Sequence, residues 1–534
     1  MSNNRTAGLA ILACLLVAGY ALINVDTLWG EYAQTQIGYT GYRLALQLLL
    51  YAVSGVALGA LLIGLNRYLM VLAILVLVTA ITTNRMAVEL LQLTIVDREN
   101  AEWLLAEVRS APDAMSQFRG TLARQVVIAL GLLAPFIGTV IYARRGLRAD
   151  LRSPALLSLA ALGVYGLSGA LLYHSFKPRI PIDGNMVFFA VDLALRPTPD
   201  IPPVDLKAAR PPQAQKIVLL VDESLTYRGY AAELSARWSR WSGVDFGEAL
   251  SLGNCSAPSN AILRWGFRAQ PMLSGEDPRR QPMIWSYARA AGFETYLLDG
   301  QHNGAYQNMM TGKEAALIDH YLGASRGMET DHQIAEQLHE LLLKPGRMFI
   351  YVNKRGDHFP YVNNFPQELF PQARTNEQHY AASIRYSSAD FLDTMLSGVP
   401  MTDVLVLYTS DHGDRFDGIG ISHCNAVPSL DEIRVPLVLL SGNDVLARQA
   451  AAAAVSLKNR AGHEQIFATL LAAMGFDVKA AENLYGSSLL SASVPQHYYH
   501  VLLHPIAING VPAVTEIERP AFHDPEPLGL APSP

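Results

Sequence analysis

The sequence predicts an α/β protein in two parts: a five-helix transmembrane domain at the N-terminus and an extracytoplasmic α/β/α domain after it. Five long apolar stretches fill the first third of the 534 residues. From Lys216 onward, short apolar runs alternate with helical patterns, which is typical of a mainly parallel sheet with helices on both faces. The segment Thr409-Ser410-Asp411-His412-Gly413 follows one of these runs and adds side chains that bind metals.

Each apolar stretch is close to the roughly 20 residues that cross a bilayer as a helix. The predicted spans are residues 7–23, 44–65, 68–83, 126–143 and 155–173. A signal peptide is the alternative for the first span, but no small-residue cleavage site followed by a soluble chain comes after it. We therefore interpret the first span as a membrane anchor.

Arginine placement predicts the orientation of the spans. The loop between the fourth and fifth spans carries Arg144, Arg145, Arg148 and Arg152, and short arginine-rich loops stay in the cytoplasm. With the N-terminus also inside, five spans place everything after Tyr173 outside the cytoplasm.

The composition along the chain predicts its domain organisation. We predict a membrane domain at 1–174, a connector at 175–215, an α/β domain at 216–519 and a loose tail at 520–534. The loop at 84–125 mixes charged residues with leucines, which is typical of amphipathic helices on a membrane surface. The connector is dense in proline and should be an extended, semi-rigid strap, with a short docked helix at 186–195.

The overall composition excludes one class of partner. The formal net charge is -6 and no basic stripe or zinc-finger spacing occurs, so we do not expect nucleic acid binding. Three cysteines are too few for a disulfide scaffold. Cys255 and Cys424 would face an oxidising compartment, and the sequence alone leaves open whether they pair.

Five strands and four helices are predicted in the α/β domain. The strands are 217–221, 295–298, 348–352, 404–409 and 435–440. The helices are 282–291, 331–343, 380–396 and 464–474. Because ligands bind outside the carboxyl ends of parallel strands, we expect the chemistry directly after the strands.

Candidate metal ligands follow two of these strands. Asp222 and Glu223 come after the first, where two carboxylates suit a metal, although acidic residues there are also common helix caps. Asp411 beside His412 offers one oxygen and one nitrogen ligand, and Gly413 lets the backbone turn tightly. A purely structural Asp–His pair is the alternative.

Two more histidines and two serines are candidates for catalysis. His358 follows the third strand and His423 comes eleven residues after His412. They could hold phosphate oxygens, bind a second metal or protonate a leaving group. Ser256 and Ser259 lie in a small-residue loop before a helical run, where a metal would make a hydroxyl nucleophilic. Both serines also suit simple N-caps.

Together these motifs resemble the alkaline phosphatase and sulfatase superfamily. More closely, they are similar to the membrane-anchored phosphoethanolamine transferases that modify lipid A and other envelope glycans. The matching motifs are Val221-Asp222-Glu223-Ser224, Cys255-Ser256, Gly356-Asp357-His358-Phe359-Pro360-Tyr361, Ser410-Asp411-His412-Gly413-Asp414, and Ser422-His423 followed by Asp431-Glu432 and Val435-Pro436. Ser256 stands where that family has Thr, Asp414 where it has Glu, and Asn260 where sulfatases have Arg. The disulfide-forming cysteines common in the lipid A enzymes are missing.

The resemblance implies a metal-dependent enzyme of the bacterial inner membrane with its catalytic domain in the periplasm. It implies Glu223, Asp411, His412 and Ser256 as metal ligands and Ser256, His358 and His423 as catalytic residues. The metal would be zinc, one ion or two, with manganese as the alternative. Ser256 would take phosphoethanolamine from phosphatidylethanolamine and pass it to a glycan or lipid acceptor, with Ser259 as the alternative nucleophile.

Three other functions stay open. A glycerol-phosphate transferase similar to lipoteichoic acid synthases would use the same metal centre with another donor. A sulfatase or phosphodiesterase would pass the group to water. A non-catalytic envelope sensor would keep the fold without the metal site, and the presence of Glu223, Asp411 and His412 argues against it.

Overall fold

The computed structural model describes most of the chain. The described residues are 2–25, 41–91, 119–147, 153–175, 181–182, 200–241, 243–268, 278–301, 306–323, 327–418, 422–425, 428–491, 498–508, 511–525 and 528. The chain forms two compact units, one of Met1–Leu105 with Ser110–Arg196 and the other of Ala106–Arg109 with Pro197–Pro534. This division does not test the four domain limits predicted from the sequence, which remain a prediction.

The first unit contains the five predicted spans as helices. They are α1 (Ser2–Ile23), α2 (Gly41–Gly64), α3 (Arg67–Leu91), α4 (Arg119–Leu147) and α5 (Pro154–Ser175). All five are long and apolar enough to cross a bilayer. Helices α3 and α4 run into the segment predicted as a surface loop, and residues 92–118 of that loop lie outside the described residues.

The five helices pack through a buried core and expose apolar residues on their outer faces. Tyr20 and Phe136 are buried, with ring centroids 6.1 Å apart. The Ser54 and Ser168 hydroxyls hydrogen bond at 2.7 Å between α2 and α5, which satisfies two polar groups inside the unit. Leucines such as Leu72 are exposed, as expected where lipid replaces water as the solvent.

The second unit is built around an eight-stranded sheet. Its strands are β1 (Lys216–Asp222), β2 (Gly243–Leu250), β3 (Glu294–Asp299), β4 (His320–Gly323), β5 (Met348–Asn353), β6 (Val404–Ser410), β7 (Arg434–Ser441) and β8 (Ala461–Gly462). They lie in the order β4-β3-β5-β1-β6-β7-β2-β8. Within the described part of this sheet only β7 runs against its neighbours, since the other pairs of the sheet are parallel. The predicted mainly parallel sheet is confirmed.

Helices cover both faces of the sheet. They are α6 (Tyr227–Glu233), α7 (Ser235–Trp238), α8 (Ser256–Trp265), α9 (Ile284–Ala290), α10 (Gly312–Ala315), α11 (Thr330–Leu343), α12 (Asn376–Ser387), α13 (Phe391–Leu396), α14 (Leu430–Ile433), α15 (Asp444–Leu457), α16 (Ile466–Ala473) and α17 (Val478–Tyr485). Side chains of β1 alternate between two cores: Ile217, Leu219 and Val221 lie in one cluster, and Val218 and Leu220 in the other.

Some elements differ from the sequence prediction. The segment predicted as one helix at 380–396 is two helices, because α12 ends before Ser388, whose side chain joins a buried polar network. Strand β2, helix α15 and the hairpin of β9 (Tyr498–Ile508) and β10 (Val511–Glu518) were not predicted. The described part of the tail packs on the domain, since the Phe522 ring contacts Tyr227 and Leu528 is buried. The predicted helix at 186–195 lies outside the described residues.

Candidate active site

Two neighbouring parallel strands bring the predicted ligands together. Strands β1 and β6 pair in register with Asp222 opposite Ser410. Glu223 and Asp411 are the next residues on each strand, so they lie side by side at the carboxyl edge of the sheet. The backbone N–H of Asp411 donates to the carbonyl of Asp222 at 3.0 Å, which continues the ladder by one more bond. This edge is where ligands bind in open α/β sheets.

Two glycines let the backbone approach these ligands closely. Gly356 has a φ of +56°, and a Cβ there would lie 2.7 Å from the backbone and Cβ of Glu223. At Gly413, a Cβ would lie 2.1 Å from the carbonyl oxygen of Asp431. A side chain at either position would displace the loop that holds a ligand, so only glycine fits without rearrangement.

Ser256 is the first residue of α8, and its hydroxyl faces the ligand cluster. Cys255 is the extended residue that precedes the helix, and Pro258 fits the first turn because its missing N–H has no partner there. The Ser256 hydroxyl lies 2.9 Å from Oε1 of Glu223 and 3.1 Å from Nε2 of His412. The positive end of the helix dipole favours negative charge on this oxygen.

The donor set fits a zinc ion. Ligand atoms of Glu223, Asp411 and His412 lie within 4.8 Å of one another, and all three residues are buried. The Nδ1 atom of His412 lies 2.8 Å from the carbonyl oxygen of Gly413, so it carries the proton when the ring is neutral and leaves Nε2 as an electron-pair donor. Two carboxylates, one imidazole and one hydroxyl are ligands that zinc accepts in a catalytic site.

The charges of the cluster depend on each other strongly. Burial lowers the pKa of His412, but the carboxylates of Asp411 and Glu223 outweigh burial and raise it to about 10. Burial raises the pKa of Glu223, but the hydrogen bond and charge of His412 hold it well below its usual range. Burial and the nearby Glu223 raise the pKa of Asp411 well above its ordinary value. Without a metal, the cluster therefore keeps a proton where a cation would bind.

Two side-chain amides that were not predicted from the sequence hydrogen bond to the ligands and hold them in place. Gln301 donates from Nε2 to Oε2 of Glu223. Asn260 donates from Nδ2 to Oδ2 of Asp411 at 3.1 Å and accepts from the hydroxyl of Tyr351 at 2.8 Å. Gln301 comes two residues after the end of β3, and this position after a strand could have indicated a site residue. Asn260 occupies the position where sulfatases have arginine, and the prediction gave it no role.

Two of the candidate residues direct their side chains to partners other than the ligand atoms of the cluster. Ser259 is fully buried and donates to the carbonyl oxygen of Asp411, so its hydroxyl serves the backbone. Asp222 points to the other side of β1, where its Oδ2 lies 2.7 Å from Nζ of Lys354 and accepts from the hydroxyl of Tyr408 at 3.0 Å. The sequence favoured Ser256 and kept Ser259 as the alternative, and the surroundings of the two serines now distinguish them.

His358 and His423 lie beside the cluster. The ring centroid of His423 is 4.5 Å from that of His412 and 5.3 Å from that of His358. Nδ1 of His423 lies 2.6 Å from Oδ1 of Asp414, and Nδ1 of His358 lies 2.6 Å from the carbonyl oxygen of Phe359. Burial lowers the pKa of His423, and the charge of His412 adds to this effect against the opposing carboxylate of Asp414.

Cys255 and Cys424 form a disulfide, with their Cα atoms 4.7 Å apart across 169 residues of sequence. This settles the pairing that the sequence left open. It also shows that Cys255 has no free thiol for conversion to the formylglycine that some sulfatases use. The bond joins the loop before Ser256 to the loop that carries His423.

Comparisons with known proteins bear on the family and the fold of the chain. Residues 222–476 match the family model described as Sulfatase, while no curated protein matches the chain by sequence. The structure of the integral membrane lipooligosaccharide phosphoethanolamine transferase A from Neisseria meningitidis is similar over 90% of this chain and 98% of that chain, with a TM-score of 0.55 and 16% identity. The periplasmic domain of EcEptC from Escherichia coli covers 60% of this chain and 96% of its own, at TM-score 0.48 and 14% identity.

The likeness to the Neisseria protein extends over both the apolar helices and the α/β domain, and at 16% identity it concerns the fold. The family match covers both strand ends that carry Glu223, Asp411 and His412. Residues 222–476 therefore form a sulfatase-family domain that follows five membrane-capable helices in the sequence, which supports the enzyme class that the motifs predicted.

Proposed function

We propose that this enzyme transfers phosphoethanolamine from phosphatidylethanolamine to a glycan or lipid of the bacterial envelope through a covalent intermediate on Ser256. One observation carries the proposal: the Ser256 hydroxyl lies at a helix N-terminus, within 3.1 Å of Glu223 and His412. A hydroxyl is a weak nucleophile unless a neighbouring base or cation activates it. The fold shared with a phosphoethanolamine transferase along most of the chain supports the choice of group.

Glu223, Asp411 and His412, together with Ser256, would hold the metal. Zinc, when bound, supplies positive charge that lowers the pKa of a hydroxyl and neutralises phosphoryl oxygens. The protein contributes the arrangement, because Gln301 and Asn260 fix one oxygen of each carboxylate and such outer partners orient metal ligands.

The first step starts from Ser256 as an alkoxide, whose proton would have passed to water when the metal bound. It forms a bond between Oγ of Ser256 and phosphorus and breaks the bond from phosphorus to the diacylglycerol oxygen. The leaving oxygen takes a proton from an imidazolium of the site, which is left as a neutral ring. We assign this to His423, because Asp414 holds its Nδ1 and leaves Nε2 for proton transfer. His358 is exposed at the same edge, and we assign it to the phosphoryl oxygens.

The second step reverses these roles. The acceptor hydroxyl or phosphate attacks phosphorus, its proton passes to Nε2 of His423, and Oγ of Ser256 leaves. The first step leaves the ring of His423 neutral, and its lowered pKa favours that form, which suits the role of base in this step. Five membrane helices would keep the domain near its lipid donor and so raise the effective donor concentration.

A hydrolytic sulfatase is the second candidate, favoured by the family match. Two features of the site oppose it: Cys255 is in a disulfide, and Asn260 replaces the sulfatase arginine. A glycerol-phosphate transferase would share every residue of the mechanism and differ only in the donor. We further propose the inner membrane as the location, with the domain after Tyr173 in the periplasm.

Donor turnover separates these functions. Purified full-length enzyme with zinc would receive fluorescent phosphatidylethanolamine or phosphatidylglycerol in detergent, and diacylglycerol release would be measured. The proposal predicts release from phosphatidylethanolamine that Ser256→Ala abolishes. Release from phosphatidylglycerol alone would assign glycerol-phosphate transfer, and hydrolysis of an aryl sulfate alone would assign a sulfatase.

A further inference from the structure

A disulfide connects the loop that supplies the proposed nucleophile, Ser256, to the loop that supplies His423. Cys255 directly precedes Ser256, and Cys424 directly follows His423. The loops belong to different elements, since one follows β2 and the other precedes β7. Each sulfur is thus one residue away from a side chain that faces the site.

Hydrogen bonds join the same two loops. The backbone N–H of Cys424 donates to the carbonyl of Asn254 at 2.8 Å. The Asn254 amide donates to the carbonyl of Asn425 at 2.7 Å and to Oε2 of Glu432 at 3.1 Å. Asn425 donates to Oε1 of the same buried Glu432 at 3.0 Å. The disulfide is therefore one of several bonds that hold these two loops against each other.

The backbone conformation of Cys424 is unfavourable unless its surroundings hold it. Cys424 has a φ of +65°, in the left-handed region that a residue with a Cβ rarely adopts. Such a conformation persists only where its surroundings fix it, and it is common at functional sites. When the bond to Cys255 is broken, Cys424 can relax to a normal backbone conformation, which would turn His423 away from its neighbours.

We propose that the Cys255–Cys424 disulfide is a positioning element that holds His423 beside His412. This inference rests on the proposed function for the catalytic role of His423, but the positional claim stands on the loop geometry. Once the loop is in place, Asp414 orients the ring of His423 through a 2.6 Å contact with its Nδ1. The covalent bond fixes the loop, and Asp414 then fixes the ring.

The test compares oxidised and reduced full-length protein in detergent. All samples carry Cys14→Ser, because Cys14 is an exposed free cysteine. A water-soluble phosphine supplies the two electrons; it becomes the phosphine oxide with oxygen from water, and each sulfur gains one hydrogen. Zinc content, diacylglycerol release from phosphatidylethanolamine and the rate at which diethyl pyrocarbonate labels each histidine are then measured.

The second variant is His423→Asn, which lacks the side chain through which the disulfide is proposed to act. Reduction should lower the turnover of the protein with His423 by about tenfold or more. It should change the turnover of His423→Asn by less than about twofold, because two changes that act through one group are not additive. The zinc content should stay the same in all four samples. An equal loss with and without His423, or no loss in either, would overturn the proposal.

The labelling rate reports the position of His423 without enzyme turnover. Reduction should raise the labelling rate of His423 several-fold while the exposed His320 keeps its rate. An unchanged rate at His423 would contradict the proposal. If oxidised protein releases no diacylglycerol from phosphatidylethanolamine, the proposed function fails, and the labelling result alone decides whether the disulfide positions His423.

Discussion

Nδ1 of His423 lies 2.6 Å from Oδ1 of Asp414, so a buried carboxylate orients the second histidine of the site. The other oxygen of Asp414 accepts from the hydroxyl of Tyr361 at 2.6 Å. An asparagine at position 414 cannot accept from both, since one of its two terminal groups is a donor. Asp414→Asn should therefore lower kcat for donor cleavage by about 10- to 100-fold, with a smaller change in KM.

Tyr361→Phe is the matched control for this variant. It removes one hydrogen bond but leaves the carboxylate for His423, so kcat should stay within about threefold of the wild-type value. Steady-state kinetics with phosphatidylethanolamine measure both variants. A wild-type kcat in Asp414→Asn would show that His423 does not depend on this carboxylate.

Gln301 should affect metal affinity without binding the metal. Its amide donates to Oε2 of Glu223, and Gln301→Leu removes that donor from a buried carboxylate. We expect zinc to bind about 10- to 100-fold more weakly, as measured by competition with a chromophoric chelator.

Ser224→Ala provides the comparison for Gln301. Ser224 donates to Oε1 of Glu223 at 3.0 Å, and Ser256 donates to the same oxygen. The loss of affinity should therefore be smaller in Ser224→Ala than in Gln301→Leu. Equal zinc affinity of Gln301→Leu and wild type would remove Gln301 from the site.

Zinc binding should depend on pH through His412. Without metal, the pKa of His412 is raised to about 10 from its ordinary value of 6.5, so the ring is protonated at pH 7. A metal must displace that proton, so affinity rises as pH rises towards 10, by about tenfold per pH unit for one proton. Titrations at pH 7, 8 and 9 measure this slope, and calorimetry in buffers of different ionisation enthalpy counts the protons. A flat affinity from pH 7 to 9 would contradict a protonated His412 in the metal-free site.

A buried ion pair should hold the end of the nucleophile helix. Nε of Arg264 lies 2.6 Å from Oε1 of Glu314, and both side chains are buried. Glu314 also accepts from the indole of Trp285 at 3.1 Å. Glu314→Gln leaves the guanidinium without a counter-charge, which should lower the free energy of unfolding by about 3–5 kcal/mol. Thermal unfolding of the full-length protein would show a lower Tm.

The neighbouring Lys313 is the control for that prediction. Its ion pair with Asp200 is exposed, and exposed pairs contribute little. Lys313→Ala should leave the Tm unchanged within error. The same Tm for Glu314→Gln and Lys313→Ala would mean that burial of the pair has no consequence for stability.

The ligand positions were predictable because they depend on local sequence. Glu223 and Asp411 each follow an uninterrupted apolar run, and parallel strands place such ends at one edge of a sheet. Strand β2 was missed because Asp245, Gly247 and Glu248 interrupt its apolar pattern, and its pairing with β7 shifts between Asp245 and Gly247. Its apolar signal is too weak to compete with that of the central strands.

The partners of the ligands were not predictable because they meet only in the folded domain. Asn260 lies 151 residues from Asp411, and Cys255 lies 169 residues from Cys424. Nothing in either segment points to the other. Ser256 and Ser259 look alike in sequence, and only the fold shows that Ser259 is used by the carbonyl of Asp411.

The central claim is that Ser256 carries phosphoethanolamine during the reaction. Full-length enzyme with zinc would be mixed with phosphatidylethanolamine without an acceptor, quenched in acid, digested and analysed by mass spectrometry. We predict a phosphoethanolamine adduct on Ser256 in the wild type and in Ser259→Ala, and none in Ser256→Ala. An adduct on Ser259, or diacylglycerol release with no adduct on Ser256, would contradict the account.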